Sequence, residues 1–139
     1  MFQLDQQQNS ELKKLTAKYA LELLVFFGSS VTSNTHKESD ADVAYLSKKP
    51  LKLMEEAELA VKLQPILKNR TIDLVNIHMA PPLLLYAISN YGQVLYQSHP
   101  LKFYELRAYA FKRYVEAMPL FKLQEERINA IKLDYAKKG

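Results

Sequence analysis

Three aspartates stand where their side chains could act together. Asp40 and Asp42 lie two residues apart at the start of one apolar stretch, and Asp73 lies inside another. In a β-strand, residues i and i+2 project to the same face, so we expect Asp40 and Asp42 to be neighbours. Their like charges would repel, and an isolated carboxylate at Asp73 would be costly, unless a shared cation compensated them. The three together predict an all-oxygen site suited to Mg²⁺ and substrate phosphates.

A short polar segment precedes these carboxylates and could hold phosphate. Gly28-Ser29 follows the apolar run Leu24-Val25-Phe26-Phe27 directly, and ten residues separate Ser29 from Asp40. A glycine lets the backbone approach a ligand closely, while the hydroxyl of Ser29 and the backbone amides after it can donate hydrogen bonds to phosphate oxygens. A phosphate loop followed by paired carboxylates predicts metal-dependent phosphoryl or nucleotidyl transfer.

The elements that must position these residues alternate between helical and strand patterns. Helical spacing, capping and turn residues predict helices over about residues 11–21 (with Ser10 as N-cap), 51–67 and 81–90, and again from residue 100 onward, interrupted at Pro119. Short apolar runs predict strands over about 24–27, 40–46, 71–77 and 93–96, the first two adjacent, with a loop over 29–39. This order predicts an α/β (α+β) fold with a small mixed sheet flanked by helices.

At this point the sequence resembles a known family. The stretch Phe26-Phe27-Gly28-Ser29, with ten residues between Ser29 and the Asp40 of Ser39-Asp40-Ala41-Asp42-Val43, is similar to the signature of the polymerase-β-like nucleotidyltransferases in their minimal (MNT) form. Asp73, within Thr71-Ile72-Asp73-Leu74-Val75, falls where that family carries its third acidic residue. The resemblance covers about residues 10–98. It implies the polymerase-β-like fold over residues 1–98, with residues 99–139 as a C-terminal helical extension.

The resemblance also implies a role for each residue of the motif. Asp40, Asp42 and Asp73 would be catalytic and would bind two Mg²⁺ ions, with Asp73 also helping to activate the acceptor hydroxyl. Gly28, Ser29 and Ser30 would bind the nucleotide, with ATP as the substrate. The chain departs from the family at the phosphate loop, where two arginines and a glycine found in many members are missing. Lys37, Lys48 and Arg70 are the candidates to replace them.

Stand-alone members of this minimal type are commonly paired with a HEPN-domain ribonuclease toxin. The resemblance therefore implies an antitoxin that transfers AMP from ATP to a tyrosine of the cognate toxin and so neutralises it. Two alternatives stay open from the sequence. The chain could be a non-catalytic antitoxin that acts by binding, or a nucleotidyltransferase for a small molecule such as an antibiotic.

Composition narrows the class of protein without selecting one. There is no cysteine among the 139 residues, which excludes disulfide scaffolds, zinc-thiolate sites and thiol chemistry. Apolar runs such as Leu23 to Phe27 are far short of the roughly 20 residues that span a bilayer, and the start lacks a signal pattern, so we expect a cytoplasmic protein. The net charge of +4 arises entirely after residue 99, where nine basic residues stand against five acidic ones.

The C-terminal helix carries two apolar stripes at helical spacing. The first comprises Tyr104, Ala108, Phe111, Val115 and Met118, and the second comprises Phe103, Leu106, Ala110, Tyr114 and Phe121. One stripe can cover the sheet, while the other is either buried as well or forms a protein–protein surface. Basic residues beside the stripes could meet an acidic partner or RNA. We favour a protein partner, in a homodimer or hetero-oligomer, because no RNA-binding sheet motif is present.

Simpler interpretations of the motif residues also exist. Asp40 could cap a strand and Asp42 could be an ordinary surface residue. Ser29 is a poor nucleophile candidate, because the Gly-x-Ser-x-Gly elbow is absent and no histidine accompanies it in a suggestive pattern. The three histidines, His36, His78 and His99, fall at scattered loop-like positions and are expected to be structural or solvated. The combination of Gly28-Ser29 with three spaced aspartates is what favours chemistry over these interpretations.

Overall fold

A four-stranded mixed sheet forms the centre of the molecule. The computed structural model describes residues 3–27, 41–68 and 70–138. The strands are β1 (Leu21–Phe27), β2 (Ala41–Ser47), β3 (Ile72–Asn76) and β4 (Gln93–Gln97), in the order β3-β2-β1-β4. Strand β1 is antiparallel to both β2 and β4, whereas β2 and β3 are parallel. The predicted mixed sheet and the adjacency of the first two strands are confirmed.

Among the described residues, four helices cover the two faces of this sheet. They are α1 (Gln6–Lys18), α2 (Leu53–Leu63), α3 (Pro82–Tyr91) and α4 (Lys102–Lys138). Helices α1 and α2 pack on one face over Phe26, Val43 and Tyr45, and α3 and α4 pack on the other over Leu23, Val25 and Ala44. Alternate residues of β1 therefore enter two separate cores, as its continuous apolar sequence predicts for a strand buried on both faces.

Helix α1 begins earlier than its apolar spacing indicates. Ser10 is not the N-cap; Asp5 is, because its carboxylate accepts from the Gln8 N–H at 2.7 Å while the Gln8 side chain accepts from the Asp5 N–H at 2.8 Å. The helix ends at Lys18, and Ala20 adopts a left-handed φ of 52°. The prediction of helix over 11–21 was therefore wrong at both ends, because Leu21 already belongs to β1.

The C-terminal helix is continuous through Pro119, contrary to the predicted interruption. A proline inside a helix leaves the carbonyl four residues earlier, here that of Val115, without its usual donor. Both Pro119 and Val115 are exposed, so water can hydrate that carbonyl. Pro119 also lies opposite the side of α4 that contacts the domain, so its ring does not disturb the packing.

The remaining helix and strand boundaries differ from the predicted ones by a few residues. Helix α2 ends at Leu63 rather than near residue 67, with Pro65 just beyond it, and a single 3₁₀ turn over Ile77–Met79 follows β3. The loop predicted over 29–39 lies outside the described residues. Within the part of the chain that the structure describes, none of the helices is both long enough and apolar enough to cross a membrane.

Candidate functional site

Two of the three predicted aspartates lie side by side at one end of the sheet. Asp42 of β2 and Asp73 of β3 are direct register partners in the parallel ladder. Adjacent strands lie about 4.8 Å apart, and register partners project to the same face. That face is the one covered by α3 and α4, since Ala44 and Val75, two residues further along each strand, both enter that core. Asp42 and Asp73 are thus a carboxylate pair on one surface.

The two carboxylates differ in their exposure to solvent. Asp42 is half-buried beside Phe27, its register partner in β1, whereas Asp73 is exposed. Asp73 is therefore not buried, contrary to the expectation from its apolar sequence neighbours, because its side chain lies on an edge strand. An exposed carboxylate next to a half-buried one can meet a ligand from solvent while the other remains fixed by the sheet.

The other predicted site residues lie in the segment between β1 and β2. Gly28, Ser29, Ser30 and Asp40 lie outside the described residues, as does Lys37. The chain leaves β1 after Phe27 and enters β2 at Ala41, so both described ends of that segment flank Asp42. The Ala41 N–H donates to the carbonyl of Thr71 at 2.8 Å, which extends the β2–β3 pairing up to the carboxylates.

The two described candidates for a replacement phosphate contact lie at opposite ends of the sheet. Arg70 immediately precedes β3 and is half-buried, at the same end of the sheet as Asp73. Lys48 follows the opposite end of β2, where its N–H donates to the carbonyl of Ala20. At about 3.3 Å per residue, the six positions from Asp42 to Lys48 place them roughly 20 Å apart. Lys48 is therefore remote from the carboxylate pair. Of the two described candidates for a phosphate contact, Arg70 is the one that lies at the same end of the sheet as the pair.

The carboxylate pair fits a magnesium ion in the chemistry of its donors. Carboxylate oxygens are hard ligands of the type that Mg²⁺ prefers, commonly one or two of them together with substrate phosphates and water. Among the described residues there is no cluster of three or more aspartate, glutamate, histidine or cysteine side chains. Asp42 and Asp73 are therefore the described part of the predicted ligand set, with Asp40 as its untested third member.

A pocket on the same sheet face was not predicted from the sequence. Its volume is about 370 Å³, and its lining comes from β2, the 3₁₀ turn and the first turns of α4: Leu46, Ile77, His78, Lys102, Glu105, Leu106 and Tyr109. Leu46 lies four residues along β2 from Asp42, roughly 13 Å away. No local motif marks this pocket, because it is assembled from three separated segments. Its lining is mainly apolar by area, with polar groups from His78, Lys102 and Glu105.

Two of the histidines expected to be structural or solvated are described. The Nδ1 atom of His99 accepts from the Leu101 N–H at 3.1 Å, in the turn that leads into α4. His78 is exposed, and its own N–H donates to Oδ1 of Asn76. The structural interpretation is confirmed for His99, whereas His78 additionally lines the pocket. His36 lies outside the described residues.

The sequence of the chain matches the model of one known protein family. A model described as polymerase beta, nucleotidyltransferase, matches residues 10–100. Because that match spans more than half of the 139 residues, the protein belongs to the polymerase-β nucleotidyltransferase family. The predicted fold class is confirmed with it. Comparison with curated protein sequences finds no significant match.

Solved structures similar to this chain include components of toxin–antitoxin complexes. One, a toxin–antitoxin with AMP-PNP, is 26% identical with a TM-score of 0.66, covering 89% of this chain and 95% of the other. Another, the complex of a tri-AMPylated HEPN toxin with an MNT antitoxin from Shewanella oneidensis, is 25% identical with a TM-score of 0.62, covering 91% and 95%. A spectinomycin adenyltransferase from Enterococcus faecialis shares the fold at 20% identity and a TM-score of 0.50, covering 72% of this chain and 58% of that one.

Proposed function

We propose that this protein is the antitoxin of a toxin–antitoxin pair and acts as a Mg²⁺-dependent protein adenylyltransferase. In this proposal, residues 1–98 transfer AMP from ATP to a tyrosine of a cognate HEPN ribonuclease toxin, and residues 99–139 contact that toxin. The observation that carries the proposal is the carboxylate pair, Asp42 with Asp73 in register on one sheet face. The similarity to antitoxin structures over nine-tenths of the chain supports the choice of partner.

The proposed chemistry is a displacement at the α-phosphorus of ATP. The acceptor hydroxyl oxygen forms a bond to that phosphorus, the bond from the phosphorus to the α,β-bridging oxygen breaks, and diphosphate leaves with the bonding electrons. Asp73, exposed at the edge strand, accepts the proton of the hydroxyl, while Asp42 is held by β1 and β3 on either side. Bound Mg²⁺ would supply charge neutralisation for the triphosphate at Asp40, Asp42 and Asp73. Gly28, Ser29 and Ser30 are proposed to hold the phosphates.

The proposed toxin contact is the outward-facing stripe of α4. Its apolar members are exposed: Tyr104 at 64%, Phe111 at 60%, Val115 at 44% and Met118 at 47%. The other predicted stripe packs on the domain, with Leu106 and Ala110 buried. An exposed apolar and aromatic surface is the type of patch that protein partners cover, because aromatic side chains contribute much of the binding energy at interfaces. Arg107 and Lys112, both exposed on α4, lie beside this stripe and add positive charge.

Transfer of label from ATP tests the catalytic proposal. The protein is incubated with Mg²⁺ and the product of the neighbouring gene, using ATP labelled either at the α-phosphate or at the γ-phosphate. We expect the α-label alone to appear on the partner, and the signal to be lost in Asp42→Asn. Glu11→Gln is the matched control, since it removes an exposed carboxylate from α1 on the opposite side of the sheet. Label from the γ-phosphate, or equal labelling by Asp42→Asn, would contradict the proposal.

A binding-only antitoxin is the rival that one observation favours. The phosphate loop of this sequence lacks the arginines found in many family members. Their absence would weaken the binding of a triphosphate. This rival predicts that Asp42→Ala protects growth against the co-expressed toxin as well as the unmodified protein does. Our proposal predicts that protection fails with Asp42→Ala although the complex still forms. A transferase for a small molecule is supported only by the shared fold.

A further inference from the structure

The apolar stripe by which α4 packs on its own domain continues beyond the domain. On the packed half of the helix, Leu106 is 6% exposed and Ala110 is fully buried. Steps of three and four residues carry the same line through Tyr114, Ala117, Phe121 and Gln124 to Ile128, Ile131 and Tyr135. These last three side chains, which we call the distal stripe, are 53%, 58% and 76% exposed.

The exposure of the distal stripe follows from the geometry of the helix. Phe121 is the last half-buried side chain among those described in α4, and from residue 122 to residue 137 every side chain is exposed. Ile128, Ile131 and Tyr135 therefore form an apolar seam on a projecting helix, covered by no other described residue. Their spacing of three and four residues is the repeat that packs one helix against another.

The charges on the two flanks of this seam are self-complementary. Glu125 and Lys132 lie seven residues apart along one flank, and Arg127 and Asp134 lie seven residues apart along the other. A two-fold axis that pairs two antiparallel helices brings the same flank of each together with its direction reversed. Glu125 then meets Lys132 of the second copy, and Arg127 meets Asp134 of the second copy. In the same register Ile128 packs against Ile131 of the second copy.

The parallel arrangement is disfavoured by the same residues. There, opposite flanks meet, so that Arg127 of one helix faces Lys132 of the other, and two positive charges are brought together. Exposed ion pairs add little affinity by themselves, but they select orientation and partner. The charge pattern therefore points to a second copy of this chain, in the antiparallel orientation, as the occupant of the distal stripe.

We propose that the protein forms a symmetric dimer through antiparallel pairing of the distal halves of α4. Burial of Ile128, Ile131 and Tyr135 from both chains supplies the attraction, and the four flanking ion pairs select the register. The seam is only about three helical turns long, so the association is weak and concentration-dependent. This surface is distinct from the outward-facing stripe proposed for the toxin, and it depends on neither nucleotide transfer nor the toxin.

Charge exchange between the two flanking positions tests the dimer. In sedimentation experiments at low salt, over concentrations up to the millimolar range, we expect the mass of the full-length protein to rise from 16.1 kDa towards twice that value. Lys132→Glu alone, or Glu125→Lys alone, is expected to weaken association roughly tenfold or more, because each places like charges together. An equal mixture of the two single variants, and the double variant with both changes, are expected to associate again.

Two controls and the contrary results complete this test. Tyr104→Asp alters an apolar residue on the outward-facing stripe and is expected to leave the dimer intact, whereas Ile131→Asp is expected to abolish it. Circular dichroism checks that each variant stays helical. A protein that remains a monomer at every concentration would overturn the proposal. So would single charge reversals without effect, or a mixture of the two reversed variants that fails to associate.

Discussion

At the scale of residues, the central feature is a pair of aspartates that are distant in sequence but adjacent in the sheet. Asp42 and Asp73 are brought together by the parallel pairing of β2 with β3. Their residue types and strand positions could be read from the sequence, because period-two alternation fixes which side of a strand a residue occupies. Their register could not, since which strands pair is decided by the packing of the helices between them.

Removal of the carboxylate at Asp73 is predicted to affect rate rather than stability. In Asp73→Asn, we expect the rate constant for AMP transfer to fall about 10²–10⁴-fold, because the side chain that we propose as the acceptor of the hydroxyl proton becomes a neutral amide. The thermal unfolding midpoint should stay unchanged, since Asp73 is exposed at an edge strand. Single-turnover kinetics beside Glu11→Gln provide the measurement. A variant with full activity would remove Asp73 from the catalytic group.

A second prediction at the residue scale concerns Tyr45, on the opposite face of the sheet from the carboxylates. Tyr45 is fully buried, and its hydroxyl has no hydrogen-bond partner among the described residues. A buried hydroxyl without a partner destabilises the folded state. We expect Tyr45→Phe to raise the free energy of unfolding by up to about 1 kcal/mol, measured by urea denaturation. A loss of stability in Tyr45→Phe would show that the hydroxyl makes a favourable contact.

The same variant is predicted to change the dependence of stability on pH. Burial raises the pKa of Tyr45 well above its ordinary value of 10.0. Because the folded-state pKa lies above the unfolded one, the contribution of Tyr45 is complete below pH 10 and is lost as the pH rises further. Tyr45→Phe should flatten that decline in part, since the pKa of Tyr19 is also raised, by burial and by Glu58. An unchanged slope would contradict this assignment.

At the scale of elements, the sequence predicted the types of helices and strands better than their boundaries. The existence of β1 could be predicted because Leu24 to Phe27 is a continuous apolar run, but its start could not. Leu23 fits the helical spacing of Leu12, Leu15 and Tyr19 as well as it fits a strand. The Asp5–Gln8 capping box and the left-handed turn at Ala20 decided the boundary. Likewise, Pro119 favoured a break in α4, but the helix continues through it at an exposed position.

Gly92 provides a test of how α3 packs against the sheet. Its φ is −77°, so backbone conformation does not require glycine there. Space does, because an added Cβ would clash with Cγ1 of Val25 and with the carbonyl oxygen of Ile88. We expect Gly92→Ala to lower the free energy of unfolding by about 1–3 kcal/mol. Asn90→Ala, at an exposed position in α3, serves as the control. Equal stability of both variants would contradict this packing.

A further prediction concerns toxin binding by the outward-facing stripe of α4. In Phe111→Asp, we expect affinity for the toxin to fall at least tenfold, because the change places a charge in the proposed apolar contact. Folding should be unaffected, since the side chain is 60% exposed. Met54→Asp is the matched control: Met54 is an 80%-exposed apolar residue on α2, across the sheet. Calorimetric titration distinguishes the two, and equal loss in both would indicate a non-specific effect of the added charge.

At the scale of the whole molecule, the two faces of the sheet differ in structure. The face covered by α1 and α2 is a closed core, whereas the face covered by α3 and α4 carries the carboxylate pair at one end and the pocket farther along. Helix α4 extends from that second face, and the excess positive charge of the chain lies in this C-terminal part. The charge distribution could be predicted from the sequence. The pocket could not, since it depends on the docking of α4.

The measurement that tests the central claim most directly is the intact mass of the toxin. The toxin is purified after incubation with ATP, Mg²⁺ and one of three proteins: the unmodified chain, Asp42→Asn or Glu11→Gln. Our account predicts that the toxin gains the mass of one or more AMP units with the unmodified chain and with Glu11→Gln. It predicts no gain with Asp42→Asn. An unmodified toxin mass with the native chain, in a mixture where the complex forms and ribonuclease activity is nevertheless lost, would contradict it.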